Sequence, residues 1–106
     1  MNELRKFQKQ IHETARAKGW WDTPPEVGTK IALMHSELSE ALEADRLGNP
    51  PDDKIPEYSG VEAELADVII RILDFAEGHQ MDVIGAMQAK AEMNAGRLHM
   101  HGGKKY

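Results

Sequence analysis

The chain has 106 residues, of which 41% are hydrophobic and 29% charged, and its formal net charge is -5. This composition predicts one globular domain, and the acidic charge argues against non-specific binding to nucleic acid, whose backbone is also negative. The absence of cysteine excludes disulfides and thiolate metal sites, and without a long apolar segment or a signal-peptide pattern we expect a cytoplasmic protein that has no membrane contact.

Apolar residues at helical spacing predict four helices and no strand. The predicted helices cover about Asn2–Lys18, Val27–Leu47, Val61–Glu77 and Asp82–Leu98. Short connections between them favour an antiparallel four-helix bundle, which is an all-α fold. We expect residues 1–98 to form this helical domain and residues 99–106 to form a mobile basic tail.

Two helix starts have the spacing of a capping box, in which a hydroxyl residue and a later glutamate each accept a backbone hydrogen bond from the other. Thr23 with Glu26 predicts such a box before the second helix, and Ser59 with Glu62 predicts one before the third. Residues 48–59 contain three prolines, so we expect the loop between these helices to be extended and stiff.

The third helix is apolar around most of its circumference and has only a narrow polar strip. The strip consists of Glu64, Asp67, Arg71 and Asp74. Such a helix is expected to be buried almost all round, and three neighbours of this length do not cover it. We therefore expect a homodimer or homotetramer, with a compact monomer built around this helix as the alternative.

Two acidic pairs at i, i+3 spacing lie on successive helices, Glu37 with Glu40 and Glu64 with Asp67. Each pair lies at the border of an apolar face. If the two helices pack together, four carboxylates converge, and this is unfavourable unless cations neutralise them. Because carboxylate oxygens select hard cations, the sequence predicts a site for Mg²⁺, with Mn²⁺ as a substitute.

A solvated helix surface is the alternative interpretation of either pair taken alone, because acids three residues apart are common on such surfaces. Arg71 would then pair locally with Asp67 and Asp74 on its own helix. The presence of both pairs, each beside an apolar face, favours the cation site.

The fourth helix has Lys90, Asn94 and Arg97 on one face, at i, i+4 and i+7. Cations one helix away from a carboxylate cluster suit a polyphosphate, whose remaining charge they neutralise. Lys104 in the tail would close over such a ligand, and Lys30 would either pair with the first acidic pair or reach the substrate. A solvated face is the alternative for the three residues of the fourth helix.

Trp20 and Trp21 form an unusual pair just after the first helix. Either both are anchors in the core or at an interface, or one of them stacks on a nucleobase, an interaction that every base can make. The sequence does not decide between these interpretations, so both tryptophans are candidate substrate contacts.

Two other kinds of site are excluded by the sequence. No glutamate is followed three residues later by histidine, which excludes the Glu-x-x-His pattern of ferritin-like di-iron proteins. No Gly-x-x-x-x-Gly-Lys segment occurs, so phosphate binding does not use a P-loop.

The motif Glu37-x-x-Glu40 followed by Glu64-x-x-Asp67 resembles the signature of the all-α nucleoside triphosphate pyrophosphohydrolases, the MazG-like group. The resemblance extends over nearly the whole chain. It includes the lysine, asparagine and arginine of the fourth helix, which resemble the residues that contact phosphate in this family. It implies that the four acids are metal-binding and catalytic.

The resemblance also implies Mg²⁺-dependent cleavage of a nucleoside triphosphate between the α and β phosphates, by a dimer or tetramer. The products would be a monophosphate and pyrophosphate. Two alternatives stay open: a non-enzymatic helical interaction module, and the same fold acting on phosphoribosyl-ATP or another pyrophosphate-linked nucleotide. No residue of the sequence specifies the base.

Overall fold

The computed structural model describes residues 1–23 and 26–96. Its helices are α1 (Asn2–Ala17), α2 (Val27–Arg46), α3 (Gly60–Gly78) and α4 (Val83–Ala95). The described residues contain no strand, only an isolated bridge between Pro51 and Ser59. The all-α prediction is confirmed, and the helix bounds agree with the predicted ones to within one residue wherever the chain is described. The predicted end of the fourth helix at Leu98 and the predicted tail, residues 99–106, lie outside the described residues.

One of the two predicted capping boxes is present. Ser59 Oγ accepts a hydrogen bond from Glu62 N at 3.1 Å, and Glu62 Oε1 accepts one from Ser59 N at 3.0 Å. The box of Thr23 with Glu26 is wrong. Glu26 itself takes the extended N-cap conformation, with φ -67° and ψ 146°, so it is not the third helical residue that a box requires.

The loop of residues 48–59 is closed rather than extended, contrary to the prediction. Asp52 N donates to Tyr58 O at 2.9 Å, and Gly60 N donates to Pro50 O at 2.7 Å. The carboxylate of Asp52 accepts two further backbone hydrogen bonds within the loop. An aspartate that bonds to the backbone in this way forms a turn, which outweighs the preference of proline for extended chain.

The helix α3 is central, and α2 and α1 pack against it. The first residue of α3, Gly60, lies beside Ala44 near the end of α2, where an added Cβ would approach the Ala44 Cβ to 3.0 Å. At the other end of α3, Asp74 lies 3.5 Å from Lys30 near the start of α2. The two helices are therefore antiparallel.

Few of the described side chains are buried, and most of the apolar ones among them belong to α3. The buried apolar residues are Ala63, Val68, Leu73, Phe75 and Ala76 of α3, Ala15 of α1, Ala41 of α2 and Ile84 of α4. Within the described ranges α4 contributes one buried residue and has few contacts with the other helices. A closed four-helix bundle is therefore not formed within one copy of the described chain.

A large apolar surface is exposed on α2 and α3. It consists of Val27, Ile31, Leu38 and Leu42 on α2 with Leu65, Ile69 and Ile70 on α3. The sequence predicts that α3 is buried almost all round, with part of its surface covered by another subunit. The single chain does not bury it to this extent, since Ile69 keeps 55% of its surface exposed. Along the described chain, every helix is too short or too polar to cross a bilayer.

Candidate active site

Three of the four predicted carboxylates meet where α2 packs against α3. Glu37 and Glu40 project from successive turns of α2, and Glu64 projects toward them from α3. One oxygen from each of the three carboxylates lies within 4.8 Å of the other two. We call these three residues the acidic cluster. The antiparallel packing creates it, because it places the first half of α3 beside the second half of α2.

Glu37 is the most buried member of the acidic cluster, with 9% of its surface exposed. Its Oε1 accepts a hydrogen bond from Arg71 Nε at 2.9 Å. Burial alone would raise the pKa of Glu37, but the hydrogen bond from Arg71 and its positive charge lower it on balance. Glu37 is therefore ionised at neutral pH.

Glu64 is the member whose charge is least favourable. Burial, together with the close carboxylates of Glu40 and Glu37 and the negative charges of Glu40 and Asp67, raises the pKa of Glu64 to about 7. Among the described residues, Oε2 of Glu64 and Oε2 of Glu37 are buried and have no hydrogen-bond partner. Buried carboxylate oxygens of this kind require a proton or a cation.

Asp67, the fourth predicted ligand, is not among the three residues whose oxygens meet. It lies one helical turn beyond Glu64, on the side where a cavity opens. Burial raises the pKa of Asp67, and the negative charge of Glu37 raises it further. Asp67 is therefore an electrostatic neighbour of the acidic cluster and a wall of the cavity.

A cavity of about 700 Å³ lies beside Glu37 and Asp67. Its cationic residues are Lys30, Lys54 and Arg71, its acidic residues are Glu37, Asp67 and Asp74, and its remaining walls are Phe7, Gln10, Ile11, Thr14, Ala15, Trp20 and Ile70. This volume is within the range of small-molecule sites, roughly 300–1,000 Å³. A lining that combines apolar side chains with charged ones suits a ligand that has an apolar ring and an anionic group.

Arg71 does not pair locally with Asp67 or Asp74, which was the alternative interpretation of the acidic strip. Its Nε atom instead bonds to Glu37 on the neighbouring helix. The sequence gives no direct signal for this pairing, because the two residues are 34 positions apart. Their contact depends on the antiparallel packing of α2 on α3.

Asp74 lies at the centre of a second group of buried polar side chains. The sequence predicts it only as a member of the polar strip of the third helix. Asp74 accepts hydrogen bonds from Trp21 Nε1 at 2.9 and 3.1 Å, and its Oδ1 lies 2.8 Å from His12 Nδ1. Lys30 Nζ lies 3.5 Å from Asp74 Oδ2 and 4.4 Å from the centre of the Trp21 ring. Lys30 thus pairs with Asp74 rather than with Glu37. No sequence signal singles out His12.

The two tryptophans have different environments. Trp21 is half-buried and held by Asp74, so its position is that of an anchor. Trp20 is 59% exposed, lines the cavity, and has Lys18 Nζ over its ring, at 5.5 Å. Of the two, Trp20 is the ring that is accessible to a ligand.

No protein-family model, no curated protein and no solved structure matches this chain. The resemblance to the MazG-like group therefore rests on residues of the sequence itself, namely the acidic motif with its spacing and Lys90, Asn94 and Arg97.

Of the phosphate contacts predicted on the fourth helix, the two that the structure describes are not brought to the acidic cluster within one chain. Lys90 and Asn94 are exposed on α4, and neither lines the cavity. Arg97 and Lys104 lie outside the described residues. In the single chain, the cations that face the cavity come instead from α2, α3 and the loop between them.

Proposed function

We propose that this protein is a Mg²⁺-dependent nucleoside triphosphate pyrophosphohydrolase with a MazG-like helical fold. It would cleave between the α and β phosphates and release a monophosphate and pyrophosphate. One observation carries the proposal. The helices α2 and α3 bring three carboxylates together, and two buried oxygens of these carboxylates have no hydrogen-bond partner among the described residues. Three converging acids beside a cavity suit a cation that bridges the protein to an anionic substrate.

The acidic cluster fits Mg²⁺ or Mn²⁺ by the chemistry of its donors. All three side chains offer carboxylate oxygens, which are hard ligands, and Arg71 is the side-chain cation hydrogen-bonded to the cluster in the described chain. The raised pKa of Glu64, about 7, indicates that the cluster lacks positive charge. A bound Mg²⁺ would supply that charge, polarise phosphate oxygens and lower the pKa of a water molecule.

The residues around the cavity have separate roles in this proposal. Lys54 and Arg71 offset the negative charge of the triphosphate, Lys30 lines the same cavity while paired with Asp74, and the exposed ring of Trp20 stacks on the base. Among the carboxylates, Glu37 is held by Arg71, whereas Glu40 is exposed. Glu40 is therefore the better placed of the two to orient a water molecule and accept its proton.

A second copy of the chain completes the site in this proposal. The exposed apolar surface of α2 and α3 would be covered in a homodimer or homotetramer. The same assembly would give Lys90 and Asn94 of α4 an acidic cluster to face, namely that of a neighbouring copy. The single chain alone does not bring these residues to its own cluster.

The decisive test is a chromatographic assay of all common ribo- and deoxyribonucleoside triphosphates with Mg²⁺, with EDTA controls. Monophosphate and pyrophosphate must be scored separately from diphosphate and phosphate. We expect Mg²⁺-dependent release of monophosphate and pyrophosphate, with the preferred base identified by rate. Release of diphosphate would contradict the cleavage position.

Two outcomes would favour the alternatives. Turnover of phosphoribosyl-ATP or another pyrophosphate-linked nucleotide, without turnover of triphosphates, would keep the fold and change the substrate. No turnover, combined with no effect of Mg²⁺ on the melting temperature, would favour the interaction module, whose acidic residues would then dock a basic partner.

A further inference from the structure

Arg71 is bonded to the acidic cluster and at the same time faces the cavity. Its Nε atom donates to Glu37 Oε1 at 2.9 Å, and its side chain keeps 37% of its surface exposed. Arginine has five N–H groups, and the other four have no hydrogen-bond partner among the described residues. Arg71 therefore holds the acidic cluster with one donor and has four donors free for a ligand.

The hydrogen bond from Arg71 partly neutralises the carboxylate of Glu37, which would be a ligand of a divalent cation. Of the two Glu37 oxygens, Oε1 is bonded to Arg71, whereas Oε2 is buried and has no partner in the described chain. A cation held by Glu37, Glu40 and Glu64 would lie close to the guanidinium, and the two positive charges would repel. Arg71 and the cation therefore compete for the same carboxylate.

The cavity offers Arg71 a second partner when the cation is bound. Arg71 lines it together with Lys30 and Lys54. Lys30 is already close to Asp74, at 3.5 Å. The planar guanidinium of Arg71 matches two phosphate oxygens at once, which a lysine ammonium does not.

We propose that Arg71 is a triphosphate-binding residue that also serves as the resident counter-ion of the acidic cluster. Without a divalent cation it neutralises Glu37; when the cation binds, its guanidinium turns from Glu37 to the phosphates in the cavity. The turn requires only rotation of a partly exposed side chain, because α3 fixes its backbone. This role rests on the proposed function, and it assigns a phosphate contact to α3 in addition to those expected on α4.

The test compares Arg71→Gln and Arg71→Lys with a matched control, Arg46→Gln, which removes the same charge from an exposed position in the last turn of α2. First, Mn²⁺ affinity is measured without nucleotide by electron paramagnetic resonance. We expect Arg71→Gln to bind Mn²⁺ about tenfold more tightly than the unchanged protein, since a competing cation is gone. Arg46→Gln should bind Mn²⁺ as the unchanged protein does.

Second, KM for the best triphosphate and the inhibition constant of inorganic tripolyphosphate are measured at saturating Mg²⁺. Both should rise about tenfold or more in Arg71→Gln, because a phosphate contact is lost. Tripolyphosphate has no base, so it isolates the phosphate contact. Arg71→Lys keeps the charge but not the planar fork, so its two constants should rise by a smaller factor.

Opposite changes in Mn²⁺ and phosphate affinity distinguish this role from a structural one, which would weaken both. Unchanged or weaker Mn²⁺ binding by a folded Arg71→Gln would overturn the proposal. If that variant does not fold, unchanged KM and tripolyphosphate inhibition in Arg71→Lys would overturn it. In both cases the proposed function would still hold if the unchanged protein binds Mn²⁺ and hydrolyses triphosphates. If the unchanged protein does neither, the proposed function itself is wrong.

Discussion

The indole of Trp21 donates its N–H to the carboxylate of Asp74, with Nε1 at 2.9 and 3.1 Å from the two oxygens. This contact ties the segment after α1 to the last part of α3 across 53 positions of sequence. His12 and Lys30 contact the same carboxylate, which keeps 5% of its residue surface exposed. Asp74 is therefore the residue that joins α1, α2 and α3 on one side of the cavity.

Replacing Asp74 with Asn should destabilise the protein by about 2–4 kcal/mol, because it leaves the buried ammonium of Lys30 without its counter-ion. Urea denaturation at pH 7, followed by tryptophan fluorescence, measures this change. Asp53→Asn, at an exposed loop position, is the matched control and should change stability by less than about 0.5 kcal/mol. Equal stability of the two variants would show that the contacts of Asp74 contribute little.

Gly78→Ala should destabilise the protein by about 1–3 kcal/mol through overpacking. A Cβ at Gly78 would lie 2.6 Å from Cζ2 of Trp21, a ring that Asp74 holds in place. Gly28→Ala in the first turn of α2 is the control, because an added Cβ there meets no atom within 4 Å. The control should gain about 0.5–1 kcal/mol from helix propensity. Thermal melting followed by circular dichroism separates the two, and a stabilised Gly78→Ala would contradict the packing.

Glu40→Gln should reduce turnover at least about 100-fold and remove most of the rise in melting temperature that Mg²⁺ causes. The substitution keeps the size of the side chain and removes one charge from the acidic cluster. Glu43→Gln is matched to it, since Glu43 is exposed one turn further along α2 and is not a cluster member. Melting curves with Mg²⁺ and with EDTA are the measurement. If Glu40→Gln behaves like Glu43→Gln, Glu40 does not bind the cation.

The stability of the metal-free protein should depend on pH through Glu64. The pKa of Glu64 is raised from 4.5 to about 7 in the folded state, so the folded state binds this proton more tightly than the unfolded state does. The stabilisation is fully present below about pH 4.5 and is lost as pH rises through about 7. Asp67, whose pKa is also raised, acts in the same direction, whereas Glu37, whose pKa is lowered, opposes it.

In EDTA, Glu64→Gln should therefore be more stable than the unchanged protein at pH 8 by about 1–2 kcal/mol, a value reduced from the full pKa shift because the cluster is partly open to solvent. Its stability should also change less between pH 5 and pH 8. Urea denaturation across this range measures both effects. Parallel pH profiles for the two proteins would contradict the raised pKa.

Ile69→Glu should convert the expected homodimer or homotetramer into a monomer, because it places a charge in the exposed apolar surface of α2 and α3. Sedimentation equilibrium measures the mass against 11.9 kDa for one chain. Leu47→Glu is the control, since Leu47 is 69% exposed just beyond the end of α2. A monomeric unchanged protein at assay concentration would contradict the assembly.

Local signals in the sequence predicted the helices and part of the candidate site. Apolar spacing located all four helices, and the capping box of Ser59 with Glu62 located the start of α3. The i, i+3 spacing of Glu37 and Glu40 placed both carboxylates on one flank of α2. Each of these features depends on residues within about one helical turn of each other, so the sequence is sufficient. The same reasoning failed for Thr23, because its distance from Glu26 does not fix where the helix begins.

Contacts between distant residues were decided by the tertiary structure alone. The pairing of Arg71 with Glu37 spans 34 positions, and that of His12 with Asp74 spans 62. The periodicity of one helix shows which residues share a face. It does not show which face of a neighbouring helix they contact, or at which position along the axis of that helix. The position along the axis is set by the antiparallel packing of α1 and α2 on α3. This packing brings Glu64 to the acidic cluster and places Asp67 in the cavity wall.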